Sequence, residues 1–233
     1  MIENIIFDLD GTLYILDANK FLMKFITLIN QYFIKIDNKF EHIGEDVMKA
    51  TMLMANNDGT KTNGEVFFDY LSHRYEGYDF EKLFASFYDS EFDKMQDAGT
   101  KIDKMPQLIM KLKELNINLI VASNPVFPSM AHRKRVRWAG LNPDDFRYYT
   151  GAEEYNYCKP KLEYYKQIVE KLHLDIDKTL MVGNDIDGDM VANKIGIRCF
   201  LLDYDVVNEH HIDYSNIPHG NIDKLLDYID KLL

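Results

Sequence analysis

The chain has 233 residues, 46% of them hydrophobic and 28% charged, a balance typical of a globular protein that can form one large domain or two unequal ones. Its 27 basic and 38 acidic residues give a formal net charge of −11, which disfavours general binding of nucleic acids through phosphate contacts. Since no apolar run reaches the roughly 18 residues of a membrane span, no secretory signal is recognisable, and two cysteines make no disulfide framework, we expect a cytoplasmic protein.

Short apolar runs, separated in several places by helical patterns, predict the strands of one sheet. The runs are NIIF at 4–7, INLIVAS at 117–123, FRYYTG at 146–151, KTLMVG at 178–183 and IRCFLLD at 197–203. The segments MPQLIMKLKELN and KLEYYKQIVEKLHL have apolar residues at helical spacing. Strands that alternate with helices predict an α/β fold with a Rossmann-like, mostly parallel sheet that is covered on both faces.

Residues 15–96 interrupt this alternation and predict an inserted all-helical block. Apolar residues stand three or four positions apart in ANKFLMKFITLINQYFIKI, HIGEDVMKATMLM, EVFFDYLSHRY and FEKLFASFYDSEF. None of these stretches shows the alternation of a strand. We therefore expect an α/β core formed by residues 1–14 and 97–233, and a separate helical domain formed by residues 15–96.

Polar side chains gather where the predicted strands end. Carboxylates, a hydroxyl, amides and an ammonium group stand at or near these ends: Asp8, Asp10, Ser123, Asn124, Lys159 and the acidic segment GNDIDGD at 183–189. Taken singly, each is explained by a turn, a helix cap or a solvated charge. Because ligands of parallel sheets bind beyond the carboxyl ends of the strands, we expect the whole set to form one site.

The first of these strand ends places two carboxylates close together. Asp8 and Asp10 repel one another, and each loses hydration on burial. We expect a metal ion, a proton or both to compensate this cost.

The segments FDLDGTLY, VASN, CKP and VGNDIDGD, in this order, resemble the four motifs of the haloacid dehalogenase-like hydrolase superfamily. The resemblance covers the α/β part of the chain, and the helical block stands where many members carry a cap domain. It implies phosphoryl transfer through an aspartyl-phosphate, with Mg²⁺ as the cofactor and a small phosphorylated metabolite as the substrate.

The same resemblance implies a role for each motif residue. Asp8 is the nucleophile, and Asp10 is the general acid and base whose backbone carbonyl also touches the metal. Ser123 and Lys159 serve catalysis and, with Asn124, bind the phosphoryl group. We expect the crowding of acidic groups to keep a proton on Asp10 at neutral pH. The implied metal ligands are Asp8, Asp10 and Asp185.

The fourth motif departs from the commonest pattern of the family, which has an Asp where this chain has Asn184. Acidic residues follow as Asp185, Asp187 and Asp189. We expect Asp185 to hold the metal directly, and Asn184 and Asp189 to act from outside the ligand sphere. Asp187 could exchange roles with either acidic neighbour.

Other functions share parts of this motif set. A phosphosugar mutase uses the same groups, a dehalogenase needs the nucleophile but neither a metal nor Asp10, and a binding protein on the same scaffold needs no costly acids. The presence of Asp10, Lys159 and Asp185 together favours the phosphatase. The sequence identifies neither the substrate nor the oligomeric state.

Two further polar segments are expected to be structural. The basic stretch AHRKRVRW at 131–138 predicts a solvated helix face. His210 and His211 predict a surface loop, because adjacent residues do not share one face of a helix or strand.

Overall fold

The backbone of residues 1–233 forms strands and helices in chain order, as described by a computed structural model. The strands are β1 (Asn4–Phe7), β2 (Tyr14–Leu16), β3 (Gly99–Lys101), β4 (Asn118–Val121), β5 (Tyr148–Tyr149), β6 (Thr179–Gly183), β7 (Arg198–Leu202) and β8 (His219–Gly220). The α-helices are α1 (Ala18–Phe33), α2 (Ile43–Ala55), α3 (Asn63–Arg74), α4 (Phe80–Ser90), α5 (Met105–Glu114), α6 (Ser129–Trp138), α7 (Leu162–Leu172) and α8 (Ile222–Asp230). Short 3-10 helices span Asn38–Phe40, Phe92–Ala98, Pro143–Asp145, Ile176–Lys178 and Met190–Ile195.

Six of the strands form one parallel sheet in the order β5-β4-β1-β6-β7-β8. The strand β1 lies between β4 and β6, and its last residue, Phe7, is in register with Val121 and Val182. The carboxyl ends of these three strands therefore meet at one edge of the sheet, where the residues that follow them can converge.

Side chains alternate between the two faces of the sheet, and each face is covered. Ile5 and Phe7 pack in a hydrophobic cluster with residues of α5, α6 and α8, whereas Ile6 packs with residues of α7 and of the 3-10 helix Met190–Ile195. Every residue of β1 is buried, as expected for a central strand covered on both sides. The α/β fold with a Rossmann-like parallel sheet is thus confirmed.

The helices α1 to α4 lie between β2 and β3 in the chain, and these two strands pair in antiparallel orientation. This strand pair brings the two ends of the helical segment together near the predicted junctions. Aromatic rings fill the interior of this segment, and the centroids of Phe33 and Phe84, for example, are 4.9 Å apart. The helical content of the insertion is as predicted, and the division into two domains at these boundaries stays a prediction.

The structure differs from the sequence analysis in its shortest elements. Ile15 and Leu16, assigned above to the helical block, belong to β2, and neither β3 nor β8 was predicted. The segment Met190–Ile195 is a 3-10 helix. Strands of two or three residues are too short to show an alternating pattern. None of the helices combines the length and the apolar composition that crossing a lipid bilayer requires.

Candidate active site

The residues that follow β1, β4 and β6 surround a cavity of about 420 Å³ at the carboxyl edge of the sheet. Every site residue predicted from the sequence lines this cavity: Asp8, Asp10, Ser123, Asn124, Lys159, Asn184, Asp185, Asp187 and Asp189. Residues far apart in the chain are thus brought together because the three strands are neighbours in one parallel sheet.

Lys159 is the cation at the centre of this acidic cavity. Its Nζ lies 2.6 Å from Asp8 Oδ1 and 2.6 Å from Asp189 Oδ1, and its side chain is only 7% exposed. Burial opposes the charge of Lys159, but the carboxylates of Asp189 and Asp8 outweigh it, so that the pKa of Lys159 lies well above its ordinary value. Lys159 is therefore held as an ammonium ion and balances part of the charge of the two carboxylates.

Asp189 binds the ammonium group of Lys159 at the buried side of the cavity. Its carboxylate is fully buried, and Oδ2 accepts hydrogen bonds from the backbone amides of Asn184 (3.2 Å) and Asp185 (3.1 Å). Burial raises the pKa of Asp189, and the charge of Lys159 opposes that rise. Gly183 is required beside this group, because a Cβ there would stand 2.1 Å from Asp189 Oδ2. Asp189 thus holds the ammonium group of Lys159 in place.

Asp185 lies at the start of a tight turn in the fourth motif. Its Oδ1 accepts hydrogen bonds from the amides of Asp187 (3.0 Å) and Gly188 (2.9 Å), which fix the orientation of the carboxylate. Its Oδ2 accepts no hydrogen bond. Burial raises the pKa of the Asp185 carboxyl, so that its ionised form lacks full compensation within the protein. A cation bound at the free oxygen would supply that compensation.

Asn184 connects the fourth motif with the first. Its Oδ1 accepts a hydrogen bond from Thr12 Oγ1 (3.0 Å), and its Nδ2 donates to the carbonyl of Asp205 (2.6 Å). Gly11 lies against this side chain with φ +81°, and a Cβ there would stand 2.1 Å from Asn184 Nδ2. Both polar atoms of Asn184 are therefore engaged in hydrogen bonds within the protein. Asn184 is thus not among the residues with an oxygen atom free to bind a metal ion.

Asp10 has a cationic neighbour that the sequence analysis did not identify. Its Oδ1 pairs with Nη2 of Arg135, a residue of α6 that is 1% exposed. An adjacent guanidinium favours the ionised carboxylate. The expectation that acidic crowding keeps a proton on Asp10 stays a prediction, and the charge of Arg135 opposes the effect of that crowding.

The basic stretch of α6 also requires a correction. The sequence analysis predicts a solvated helix face, but Arg135 and His132 are buried. The His132 Nδ1 lies 2.8 Å from the carbonyl of Thr150, and its Nε2 has no partner. Lys134 is also only 12% exposed and pairs with Asp93, whereas Arg137 is exposed and Arg133 pairs with the exposed Asp144, as predicted.

Ser123 and Asn124 supply neutral polar groups on the side of the cavity formed by β4. The carbonyl of Ser123 is held by the hydroxyls of Tyr164 (2.7 Å) and Thr150 (3.0 Å), whereas the Ser123 hydroxyl makes no hydrogen bond within the protein. Oδ1 of Asn124 is buried without a partner. Both residues therefore have polar atoms available for a ligand.

The cavity offers oxygen atoms suited to Mg²⁺, although no three His, Cys, Asp or Glu side chains stand close enough to form a metal site on their own. Oδ2 of Asp8, Oδ2 of Asp185 and the backbone carbonyl of Asp10 accept no hydrogen bond. Mg²⁺ prefers hard oxygen ligands and usually keeps several waters, so that two carboxylates and a carbonyl are a sufficient protein contribution. The donor set therefore fits the ion that the sequence analysis expects.

His210 completes the rim of the cavity and was also missed. Its exposed ring reaches Asp187, with Nδ1 2.8 Å from Oδ1, and Asp187 Oδ2 is buried without a partner. Val207 pairs with the fourth motif through its amide and carbonyl, which brings the segment carrying Glu209 and His210 over the cavity. The two histidines do lie in a surface loop, as predicted, but no local pattern indicated where this loop folds.

Comparison with known proteins agrees with this architecture. A family model described as haloacid dehalogenase-like hydrolase matches residues 2–196. No curated protein matches the chain.

Solved structures resemble the whole chain. They include the HAD phosphatase from Thermococcus onnurineus (15% identity, 98% of each chain covered, TM-score 0.57). The HAD-hydrolase YfnB from Bacillus subtilis, bound to magnesium, is also similar (18% identity, 98% of this chain and 99% of that chain, TM-score 0.55). A third is the 2-haloacid dehalogenase from Pseudomonas syringae pv. Tomato DC3000 (17% identity, 100% of each chain, TM-score 0.64). At these identities the likeness concerns the fold.

Proposed function

Because this chain belongs to the haloacid dehalogenase-like hydrolase family, we propose that it is a Mg²⁺-dependent phosphatase that hydrolyses a small phosphorylated metabolite through an aspartyl-phosphate on Asp8. The observation that carries the proposal is the convergence of Asp8, Asp10, Ser123 and Lys159 on one cavity. The role of nucleophile falls to Asp8, whose Oδ1 is held by Lys159 and whose Oδ2 accepts no hydrogen bond.

In the proposed reaction, a carboxylate oxygen of Asp8 attacks phosphorus, the bond from phosphorus to the ester oxygen breaks, and the ester oxygen leaves with a proton from Asp10. Water then attacks the phosphorus of the aspartyl-phosphate, Asp10 accepts its proton, and Asp8 is released as a carboxylate. Asp10 suits both steps because its side chain lines the cavity and is 35% exposed.

Charge compensation decides whether a carboxylate can attack a phosphate, since both are negative. Lys159, paired with Asp8 at 2.6 Å, places a fixed ammonium beside the transferred group. The free Ser123 hydroxyl and the amide of Asn124 would bind phosphoryl oxygens. Asp8, Asp185 and the carbonyl of Asp10 would hold Mg²⁺, which when bound neutralises charge between nucleophile and phosphoryl group.

The proposal is tested by incubating the protein with a panel of phosphorylated metabolites and Mg²⁺ and measuring released phosphate. We expect the unchanged protein to release phosphate from some of them and Asp8→Asn to release none. The matched control is Asp227→Asn, the same substitution at an exposed residue of α8, which should behave as the unchanged protein.

Each alternative gives a different product in the same assay. An isomerised sugar phosphate without free phosphate would indicate a mutase, and halide release from haloacids in the presence of EDTA would indicate a dehalogenase. A protein that neither binds Mg²⁺ nor releases phosphate would be a binding protein on the same scaffold. Turnover retained by Asp8→Asn would contradict the assignment of the nucleophile.

A further inference from the structure

Arg135 is a buried cation that the reaction described above does not use. It lies on α6, is 1% exposed and does not line the cavity. Its Nη2 donates to Asp10 Oδ1, and its Nε donates to the hydroxyl of Tyr14 at 2.9 Å. An interior arginine is unusual, because burying a guanidinium costs free energy unless an anion pairs with it.

Aromatic rings surround the guanidinium and fix its position. Its Cζ lies 5.2 Å from the ring centroid of Phe21, 5.7 Å from that of Phe127 and 5.8 Å from that of Tyr14. These distances are typical of cation–π contacts. Phe21 belongs to α1 of the helical segment and Phe127 to the loop after β4, so that the position of Arg135 depends on both parts of the protein.

The partner of this cation is one oxygen of Asp10. Burial lowers the pKa of Arg135 to about 9, which still leaves the guanidinium charged at neutral pH. Asp10 is the only carboxylate that it hydrogen-bonds, and the second oxygen, Oδ2, makes no hydrogen bond within the protein. One oxygen of Asp10 is therefore held by the protein, and the other is available at the cavity.

We propose that Arg135 is a positioning residue, which orients the Asp10 carboxylate so that its Oδ2 faces the ester and water oxygens of the substrate reaction. The inference rests on the proposed phosphatase function. Arg135 acts through Asp10 and touches no substrate. Its contacts with Phe21 and Tyr14 make the orientation of Asp10 dependent on the packing of the helical segment against the sheet.

The test compares substrates that need a general acid with one that does not. The variant is Arg135→Met, and the substrates are the best alkyl phosphate of the panel and p-nitrophenyl phosphate, whose leaving group departs without a proton. General acid catalysis contributes about a hundredfold to ten-thousandfold. We expect the single-turnover rate of phosphoryl transfer to Asp8 to fall by at least about tenfold for the alkyl phosphate and to change far less for p-nitrophenyl phosphate. This rate excludes the later attack of water, in which Asp10 acts as the base for both substrates.

A second background shows whether Arg135 acts through Asp10. In Asp10→Asn, adding Arg135→Met should lower the rate no further. An equal loss on both substrates, or the same loss in the Asp10→Asn background, would overturn the inference. Arg133→Met is the matched control on the same helix, and it should not discriminate between the substrates, because Arg133 pairs with the exposed Asp144.

Two milder variants keep the test decisive if Arg135→Met does not fold. Arg135→Lys keeps the charge but cannot bond Asp10 and Tyr14 in the same geometry, and Tyr14→Phe removes only the acceptor of Arg135 Nε. Both should show the same selectivity for the alkyl phosphate in a weaker form, and equal losses on both substrates would count against the inference. Unchanged protein that releases no phosphate would instead overturn the proposed function, before any variant is compared.

Discussion

Lys159 and Arg135 are the buried cations of the site, and each holds one carboxylate of the first motif. Lys159 pairs with Asp8, and Arg135 pairs with Asp10. The two carboxylates therefore tolerate their proximity because each has its own counterion. The free oxygens that remain are the ones available to a metal ion and a substrate.

Asp185 and Asp187 are expected to contribute differently to the binding of Mg²⁺. Oδ2 lacks a hydrogen bond in both residues, but the carboxylate of Asp185 is oriented by two backbone amides, whereas that of Asp187 contacts the exposed ring of His210. We expect Asp185→Ala to shift the Mg²⁺ dependence of phosphate release to at least about tenfold higher concentration, because a direct ligand is lost. The matched variant Asp187→Ala should shift it less. Mg²⁺ titration of both variants measures this, and the reverse order would assign Asp187 as the ligand.

Because His132 is buried, we expect the free energy of unfolding to depend on pH. Burial lowers the pKa of His132 to about 4, whereas the unfolded chain binds this proton near pH 6.5. Its contribution is therefore present above pH 6.5 and is lost as the pH falls from about 6.5 toward 4, by up to about 3 kcal/mol in the free energy of unfolding. Urea unfolding at several pH values should show this loss in the unchanged protein and a smaller loss in His132→Asn. Parallel pH dependences would contradict the prediction.

The cations of the site show what the sequence could and could not predict at this scale. Lys159 stands beside a proline in a motif of fixed order, and the acids of the first and fourth motifs follow recognisable strands, so that these residues were predicted. Arg135 stands in a stretch of several basic residues, and its burial depends on Phe21, which is remote in sequence, and on Phe127 of the loop after β4. A local pattern does not reveal which of several adjacent arginines turns inward.

Among the elements, the loop between α2 and α3 connects the helical segment to the site. Asn63, at the start of α3, is fully buried, and its Nδ2 donates to the carbonyl of Pro125 (3.0 Å) and to Cys158 Sγ (3.3 Å). Pro125 follows Asn124, and Cys158 precedes Lys159. One side chain of the helical segment thus holds both loops that carry the neutral and cationic groups of the cavity.

This contact predicts a combined effect on stability and activity. Asn63→Ala leaves the carbonyl of Pro125 without a hydrogen-bond partner and removes one of the two acceptors of Asn57 Nδ2, at a cost of about 1–3 kcal/mol for an unsatisfied buried group. We expect a lower free energy of unfolding and a lower kcat/KM for phosphate release. Asn56→Ala is the control, since Asn56 is exposed and bonds only within α2. Equal effects of the two substitutions would contradict this role of Asn63.

The length of the apolar run decided which strands were predictable. The strands β1, β4, β6 and β7 have four or five residues and were predicted from apolar runs, and the two-residue β5 was predicted from the longer run FRYYTG. The strands β2, β3 and β8 have only two or three residues each. Their pairing depends on neighbours that a local pattern does not show. The path of the loop that carries His210 was equally hidden, because it is fixed by pairing of Val207 with the fourth motif.

Across the whole molecule, the helical segment and the sheet share apolar packing. The cluster inside the helices also includes Ala131 and Trp138 of α6 and Ala152 of the loop after β5. Phe92 stacks on Trp138 with ring centroids 5.0 Å apart. The cavity therefore lies in a molecule whose two parts are packed together. The net charge of −11 repels polyanions and so favours a small substrate.

The central claim, that Asp8 carries the phosphoryl group, is tested most directly by trapping the phosphorylated protein. The protein is mixed with a substrate from the panel and Mg²⁺, quenched in acid and digested, and the peptides are analysed by mass spectrometry. We expect an acid-stable, base-labile phosphate on the peptide that contains Asp8, and we expect none in Asp8→Asn or in the presence of EDTA. Phosphate release by the unchanged protein together with a label on another residue, or with undiminished turnover in Asp8→Asn, would contradict it.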